Sequence, residues 1–181
     1  MPTFTNSWHS QHEAIWRSIV LPRLPAGRRR WIELGSFEGQ SALWTLENAI
    51  RDGDELVCCD IWPDAQVERL FDENTRGTRI VKTKQDAFAF LLDQVGRGLS
   101  ATCIYVDAGH HARSVFEQAA LSWRLLPVGG ILIFDDYRWK HPPHKAGRLP
   151  PGLAIDAVIQ CYATESILLH LGSQAIIQKR V

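Results

Sequence analysis

The chain has 181 residues, of which 45% are hydrophobic and 22% are charged, and 20 Lys and Arg residues balance 20 Asp and Glu residues. This length and composition predict a single domain with a substantial hydrophobic core. A chain of zero net charge without an extended basic block is not expected to bind nucleic acid through its overall field. The sequence contains neither 18 consecutive apolar residues nor a signal-peptide pattern, so we expect no membrane span and no secretion.

The four cysteines favour a cytoplasmic location. No C-x-x-C pair occurs, and Cys58, Cys59 and Cys103 lie within apolar segments. This pattern is typical of buried thiols in a reducing compartment rather than of disulfides or a zinc site.

The spacing of apolar residues predicts one N-terminal helix and then strands that alternate with helices. The predicted elements are helices over 10–24, 38–51, 86–95 and 111–126, and strands over 30–34, 55–62, 78–83, 101–107 and 131–136. A loop is expected over 63–77. The strands are almost wholly apolar, which indicates a parallel sheet covered on both faces. The sequence therefore predicts a doubly wound α/β fold.

The C-terminal part differs from this alternation. A Pro-rich loop is expected to precede a helix over 153–163 and two short apolar strands joined at Gly172-Ser173. A two-residue turn between such strands predicts an antiparallel hairpin. We thus expect one Rossmann-like domain of about seven strands, comprising a helical cap (1–29), βα units (30–136), a loop (137–152), and a closing helix and hairpin (153–181).

A glycine-rich turn, ELGSFEGQS at 33–41, follows the first predicted strand. Gly35 and Gly39 permit a tight turn and close backbone approach, and the next helix begins with free N–H groups. The turn is neither a phosphate-binding Walker loop nor a complete G-x-G-x-x-G motif. A ligand-binding turn and a purely structural turn both remain open.

Acidic and amide side chains follow the second and third strands. Asp60 ends the second strand, where a carboxylate can accept both hydroxyls of a ribose; a surface acid is the alternative. Gln85 and Asp86 follow the third strand and can meet an adenine edge, although Asp86 can equally begin the next helix.

The fourth and fifth strands end in DAGHH (107–111) and DDY (135–137). Because neighbouring parallel strands end at one edge of a sheet, we expect Asp107, Asp135 and Asp136 to converge. Three carboxylates suit Mg²⁺ or a similar hard cation, and a metal-free hydrogen-bonded cluster is the alternative. His110 lies in the same loop, and its imidazole suits a general base or a metal ligand.

The segment WIELGSFEGQSALWTLENAI resembles the first motif of class I S-adenosylmethionine-dependent methyltransferases, in particular the macrocin-type sugar O-methyltransferases and cephalosporin-hydroxylase-like proteins. IYVDAGHHARSVFEQAALSWRLLPVGGILIFDDY is similar to the signature of that branch. AIDAVIQCYATESILLHLGSQAIIQKR is similar to its closing helix and hairpin. The resemblance covers residues 30–180 and implies a Rossmann-like fold and methyl transfer from S-adenosylmethionine.

The resemblance also implies site residues. It implies that the first turn, with Glu33, Gly35, Ser36 and Gly39, binds the methionine end of the cofactor. It also implies that Asp60 binds the ribose and that Trp62 lies beside the adenosine. In metal-dependent members, the first loop Asp and the Asp-Asp pair hold Mg²⁺. These correspond to Asp107, Asp135 and Asp136.

One position departs from the family pattern. The second Asp of the loop, often the base in the family, is Gly109 here, and the preceding Gly is Ala108. We therefore expect His110, together with Asp107, to perform the catalytic step. A member that binds the cofactor without turnover is the alternative.

The sequence thus predicts metal-assisted O-methylation of a small hydroxylated acceptor, such as a sugar or natural-product moiety. A nicotinamide oxidoreductase would need the full glycine motif, and a metal-dependent hydrolase would not need Asp60. Little chain remains to cover the site, so we expect a homo-oligomer in which a second subunit helps to enclose it. Trp8, Trp16 and Trp139 suit either that enclosure or ordinary packing.

Overall fold

The computed structural model describes residues 1–140 and 148–181 and contains a seven-stranded sheet of order β3-β2-β1-β4-β5-β7-β6. The strands are β1 (Arg30–Leu34), β2 (Glu55–Asp60), β3 (Val81–Lys84), β4 (Cys103–Val106), β5 (Ile131–Phe134), β6 (Ser166–Leu171) and β7 (Ala175–Lys179). The first five strands are parallel, and β7 pairs antiparallel with both β5 and β6. The predicted Rossmann-like sheet with a closing antiparallel hairpin is confirmed.

Helices cover both faces of this sheet. They are α1 (Glu13–Ile15), α2 (Gln40–Asn48), α3 (Ala65–Asn74), α4 (Ala87–Gly96), α5 (Ala112–Leu125) and α6 (Pro151–Cys161). Helices α4 to α6 cover one face, while α2, α3 and the N-terminal segment cover the other. Successive side chains therefore enter different cores: Ile104 faces α4 to α6, and Tyr105 faces the N-terminal segment. Burial on both faces explains why the central strands β4 and β5 are continuous apolar runs.

The loop expected over 63–77 is wrong, because helix α3 occupies Ala65–Asn74. The Asp64 carboxylate accepts the Gln66 N–H at 2.8 Å, which satisfies the first turn of the helix. Phe71 is the one α3 residue that is fully buried. A helix with so narrow an apolar face has a weak periodic signal in the sequence.

One strand and one helix also begin at other residues than predicted, and one predicted loop is only partly described. Strand β3 occupies Val81–Lys84 rather than 78–83, and α6 begins at Pro151 rather than at residue 153. The loop expected over 137–152 falls partly on residues 141–147, which lie outside the described residues.

The predicted helix over 10–24 is a run of short helical turns, which we call the N-terminal cap (Trp8–Arg23). It comprises a 3₁₀ turn (Trp8–His12), α1, a π-helical turn (Trp16–Val20) and a second 3₁₀ turn (Leu21–Arg23). Trp16 is fully buried, and its ring lies 5.4 Å from that of Trp31 and 5.0 Å from that of Tyr105. The cap therefore rests on the centre of the sheet through one large aromatic side chain.

The residues before the cap are tied to the glycine-rich turn. The backbone N–H and the hydroxyl of Thr5 donate to the buried carboxylate of Glu38 at 2.7 and 2.6 Å. The Asn74 amide donates to the carbonyl oxygens of Thr3 and Glu38, both at 2.9 Å. These bonds join the chain start, the glycine-rich turn and α3.

No helix among residues 1–140 and 148–181 is long and apolar enough to cross a lipid bilayer. Cys58, Cys59 and Cys103 are buried and Cys161 is exposed, and all four are free thiols.

The cap should contribute strongly to stability through Trp16. We expect Trp16→Ala to lower the free energy of unfolding by about 3–5 kcal/mol, because the cavity forms among rings that have little room to collapse. Trp8→Ala is the matched control; Trp8 is 62% exposed, so the loss should stay below about 1 kcal/mol. Urea unfolding followed by circular dichroism measures both, and equal losses would contradict the packing described.

Candidate active site

The glycine-rich turn lies directly against the end of β4. Gly35 has φ +84°, and a Cβ there would lie 2.4 Å from the carbonyl oxygen of Asp107. Gly39 has φ +85°, and a Cβ there would lie 3.1 Å from the Phe71 ring. A glycine is thus required at position 35, because the backbone has a positive φ and because β4 approaches closely. This contact brings the first turn directly against the start of the DAGHH loop.

Two polar side chains of this turn are buried with unused hydrogen-bonding capacity. The Ser41 hydroxyl donates to Glu33 Oε1 at 3.0 Å. Glu33 Oε2 and Ser36 Oγ have no hydrogen-bond partner among the described residues. Burial raises the pKa of Glu33 to about 8, and the bond from Ser41 only partly opposes the shift. A ligand ammonium group would satisfy these atoms and favour the ionised form of Glu33.

Asp60 lies at the same turn. Its carboxylate accepts the backbone N–H of Phe37 at 3.0 Å and that of Trp62 at 2.9 Å. Phe37 and Trp62 both have positive φ, at +47° and +39°. A carboxylate that accepts two N–H groups keeps lone pairs for further donors. Asp60 therefore keeps acceptor capacity at the glycine-rich turn, and its ribose-binding role stays a prediction.

The ring of Trp62 is buried. Its indole N–H donates to the Phe37 carbonyl at 2.8 Å, and its ring centroid lies 4.7 Å from that of Phe71. Lys82 Nζ lies 4.7 Å from the centroid of the same ring. Trp62 therefore shapes the turn from inside the core, and its indole is engaged by α3 and β3.

Gln85 and Asp86 are exposed at the end of β3. The Gln85 N–H donates to the Asp60 carbonyl at 3.0 Å, so this segment lies beside the second strand. The Asp86 carboxylate accepts the Ala89 N–H at 3.0 Å at the start of α4. This is the helix-starting role that the sequence left open for Asp86.

The ends of β4 and β5 bring ionisable side chains together. Asp107, His110 and Asp136 each offer one potential ligand atom, and these atoms lie within 4.8 Å of one another. His110 Nδ1 lies 2.6 Å from Asp136 Oδ2. Asp136 has φ +58°, an unusual conformation for a non-glycine residue. Carboxylate oxygens with an imidazole suit a divalent cation.

Asp135 lies beside this group but faces the sheet interior. Its Oδ1 accepts the Asp136 N–H at 2.9 Å, and its Oδ2 lies 2.6 Å from the Tyr105 hydroxyl. The same hydroxyl lies 3.1 Å from Asp107 Oδ2. The three carboxylates are thus neighbours through two separate contacts. The Tyr105 hydroxyl lies between Asp107 and Asp135, and the Asp136 N–H bonds to Asp135.

Electrostatic repulsion is concentrated at Asp107. Burial raises the pKa of Asp107 well above its usual value, and the charges of Asp135 and Asp136 raise it further. A bound cation would relieve this repulsion and stabilise the ionised carboxylates.

The N-terminal cap contributes a residue that sequence reasoning missed. His12 Nε2 lies 3.6 Å from Asp135 Oδ1, and the imidazole is almost fully buried. Burial lowers the pKa of His12, while Asp135 and Asp136 oppose that shift. Nothing in the sequence signals this contact, because it joins residues more than 120 positions apart.

Two other residues of the region have identifiable structural contacts. His111 Nδ1 accepts the Ser114 N–H at 3.3 Å at the start of α5. The Trp139 ring lies 5.6 Å from that of His110, beside the acidic group.

Residues 32–137 match the model of the methyltransferase domain family. The chain belongs to this family. The match spans more than half of this chain and includes the glycine-rich turn and both acidic strand ends. It confirms the family resemblance seen in the sequence.

Solved structures agree on the fold. A putative O-methyltransferase from Klebsiella pneumoniae superposes with a TM-score of 0.71 at 15% identity, covering 99% of this chain and 84% of that one. The Bacillus cereus O-methyltransferase, in complex with SAH (S-adenosylhomocysteine), gives 0.63 at 16% identity, covering 94% and 91%.

MycE from the mycinamycin biosynthetic pathway, in complex with Mg and SAH, gives a TM-score of 0.63 at 20% identity. The superposition covers 98% of this chain and 51% of MycE, so this chain spans about half the length of MycE. No curated protein matches the chain by sequence.

The close approach at Gly35 can be separated from its backbone conformation by a matched pair. Gly35 and Gly53 both have φ +84°, but a Cβ at Gly53 would meet nothing within 4 Å. We expect Gly53→Ala to cost about 1–2 kcal/mol of unfolding free energy. Gly35→Ala should cost about 1–3 kcal/mol more, because it forces β1 and β4 apart. Equal costs in urea unfolding would show that the contact with β4 yields freely.

The buried Glu33 should make stability depend on pH. Its pKa is about 8 in the folded state against 4.5 unfolded, so its contribution is largest below pH 4.5 and is lost as pH rises towards 8. Relative to Glu33→Gln, the free energy of unfolding of the wild type should fall by up to about 1.4 kcal/mol per pH unit as the pH rises from 4.5 towards 8. Urea unfolding at pH 5, 6, 7 and 8 measures the difference, and a constant difference would contradict a protonated Glu33.

Proposed function

We propose that the chain catalyses O-methylation of a small hydroxylated acceptor with S-adenosylmethionine as the methyl donor, assisted by a divalent cation. The observation that carries the proposal is the contact of Gly35 with the Asp107 backbone. Because of it, the turn with unsatisfied buried polar atoms lies beside the acidic strand ends. A methyl donor and a cation-bound hydroxyl have to meet within a few ångströms to react.

The structural neighbours support the same chemistry. The Bacillus cereus O-methyltransferase is solved with SAH, and MycE is solved with Mg and SAH. Their likeness to this chain extends over nearly all of its length.

The glycine-rich turn fits the cofactor. S-adenosylmethionine supplies an electrophilic methyl group on a sulfonium, together with an ammonium group and a ribose. Glu33 Oε2 and Ser36 Oγ are buried and unpartnered among the described residues, which suits the ammonium. Asp60, held at the turn by the Phe37 N–H, suits the ribose hydroxyls. These residues would orient the donor so that its methyl group faces the acidic strand ends.

The acidic strand ends fit a divalent cation, which would lower the pKa of an acceptor hydroxyl. Asp107 and Asp136 would hold it, with Asp135 beside them. His110 is the proposed proton acceptor. Its Nδ1 lies 2.6 Å from Asp136 Oδ2, and this contact orients the ring beside the acidic strand ends. With the cofactor bound, the imidazole would take up the proton that the acceptor hydroxyl gives up on methylation.

The loop conformation explains why the base is not at position 109. Gly109 has φ +75°, and a Cβ there would lie 2.5 Å from the Ser114 hydroxyl oxygen. An Asp there would be strained at this φ and would require the Ser114 side chain to move. The same fact supports a second candidate, a protein that binds the cofactor without turnover. The predicted homo-oligomeric state and cytoplasmic location stay predictions.

Calorimetry with S-adenosylhomocysteine tests the cofactor site. We expect the wild type to bind it and Asp60→Asn to bind about 10–100-fold more weakly, because a charged hydrogen-bond acceptor is lost. Asp64→Asn is the matched control, since the Asp64 carboxylate accepts the Gln66 N–H at the start of α3. The proposal fails if well-folded wild type shows no binding at millimolar S-adenosylhomocysteine.

Turnover separates the two candidate functions. Methyl transfer from radiolabelled S-adenosylmethionine to a panel of sugars and phenols, with EDTA and then with added Mg²⁺, measures it. Activity that EDTA removes and Mg²⁺ restores supports metal-assisted O-methylation. Cofactor binding without turnover on any acceptor would favour the non-catalytic candidate.

A further inference from the structure

A buried chain of hydrogen-bonding groups links the N-terminal cap to the acidic strand ends. The Trp16 indole N–H donates to Gln174 Oε1 at 2.8 Å. Gln174 Nε2 lies 3.5 Å from the Tyr105 hydroxyl oxygen, which in turn lies 2.6 Å from Asp135 Oδ2. Trp16 and Gln174 are fully buried, and Tyr105 is 2% exposed. The tyrosine hydroxyl is therefore held by protein groups rather than by bulk water.

The position of this hydroxyl determines how two carboxylates face each other. A phenolic hydroxyl has one proton, so it donates to one acceptor at a time. Its shortest contact is to Asp135 Oδ2, and it also lies 3.1 Å from Asp107 Oδ2. Asp135 Oδ1 is engaged by the Asp136 N–H. Both oxygens of Asp135 are thus engaged, and its orientation is set by Tyr105 and the backbone.

We propose that Tyr105 is a positioning residue of the cation site, which holds the Asp135 carboxylate in place and separates it from Asp107. This inference rests on the proposed function, because it needs a cation at the acidic strand ends. Without the hydroxyl, the two carboxyl groups would face each other across an apolar ring edge. The Asp135 carboxylate would then lose one of the two contacts that fix its orientation, and a cation would have to impose that orientation instead.

Gln174 and Trp16 keep the hydroxyl in this position. Gln174 lies at the turn between β6 and β7, and Trp16 lies in the N-terminal cap. The C-terminal hairpin and the cap therefore both support the site, although neither supplies one of the predicted metal ligands. Groups that orient ligand carboxylates commonly affect metal affinity as strongly as 10–100-fold.

Tyr105→Phe isolates the hydroxyl from the ring. The ring packs on Trp16 at a centroid distance of 5.0 Å and would be kept. Tyr162→Phe is the matched control, since the Tyr162 ring stacks on Trp123 at 4.4 Å on the other face of the sheet. A purely structural tyrosine would change unfolding but not cation affinity.

Electron paramagnetic resonance of free Mn²⁺, titrated with protein in the presence of S-adenosylhomocysteine, measures that affinity. We expect Tyr105→Phe to raise the Mn²⁺ dissociation constant about 10–100-fold and Tyr162→Phe to leave it within about twofold. Thermal unfolding of each variant confirms that it is folded. Unchanged Mn²⁺ affinity in Tyr105→Phe, or a wild type that binds S-adenosylhomocysteine but no Mn²⁺, overturns the inference.

A double-mutant cycle tests whether Tyr105 acts through Asp135. If it does, Tyr105→Phe should have little further effect on Mn²⁺ affinity once Asp135→Ala is present. Losses that multiply would show a different route and overturn the inference. Failure of the proposed function is distinct, because wild type would then fail to bind S-adenosylhomocysteine in parallel calorimetry.

Discussion

The close approach of the β1–α2 turn to the end of β4 is the constraint on which the site depends. A Cβ at Gly35 would collide with the Asp107 carbonyl, so the two strand ends meet only because the side chain is absent. Parallel strands bring their carboxyl ends to one edge, but this contact closes the gap between two of them. It joins the cofactor-side residues Glu33 and Asp60 to the acidic group around Asp107 and Asp136.

The site also concentrates buried ionisable groups. Burial raises the pKa of both Glu33 and Asp107, and repulsion from Asp135 and Asp136 adds to the shift at Asp107. Such groups are costly in a sheet covered on both faces unless a proton, a hydrogen bond or a bound cation compensates. Tyr105 supplies one hydrogen bond, and the proposed cofactor ammonium and divalent cation would supply the rest. The same features that lower the stability of the free protein therefore favour ligand binding.

Elements that are buried on both faces were predictable, and elements with one narrow buried face were not. Strands β4 and β5 are continuous apolar runs, and β1 and β2 are mostly apolar. The hairpin was predicted with a two-residue turn at Gly172-Ser173, but three residues separate its strands, because Leu171 pairs with Ala175. Helix α3 was missed because Phe71 is its one fully buried residue. The N-terminal cap was predicted as a helix, but its turns change type around Trp16, which contacts distant rings. Tertiary packing thus overrides the local pattern there.

The sequence alone determined the succession of the strands, the strand-end positions of Asp60, Asp107, Asp135 and Asp136, and the family, because local periodicity and short motifs encode them. Only the tertiary structure decided which way those side chains turn. It also packs the Trp62 ring against Phe71 and brings the Gln174 amide within 3.5 Å of the Tyr105 hydroxyl. Such orientations follow from contacts between residues far apart in the chain, whose geometry depends on the packing of the whole sheet and its covering segments.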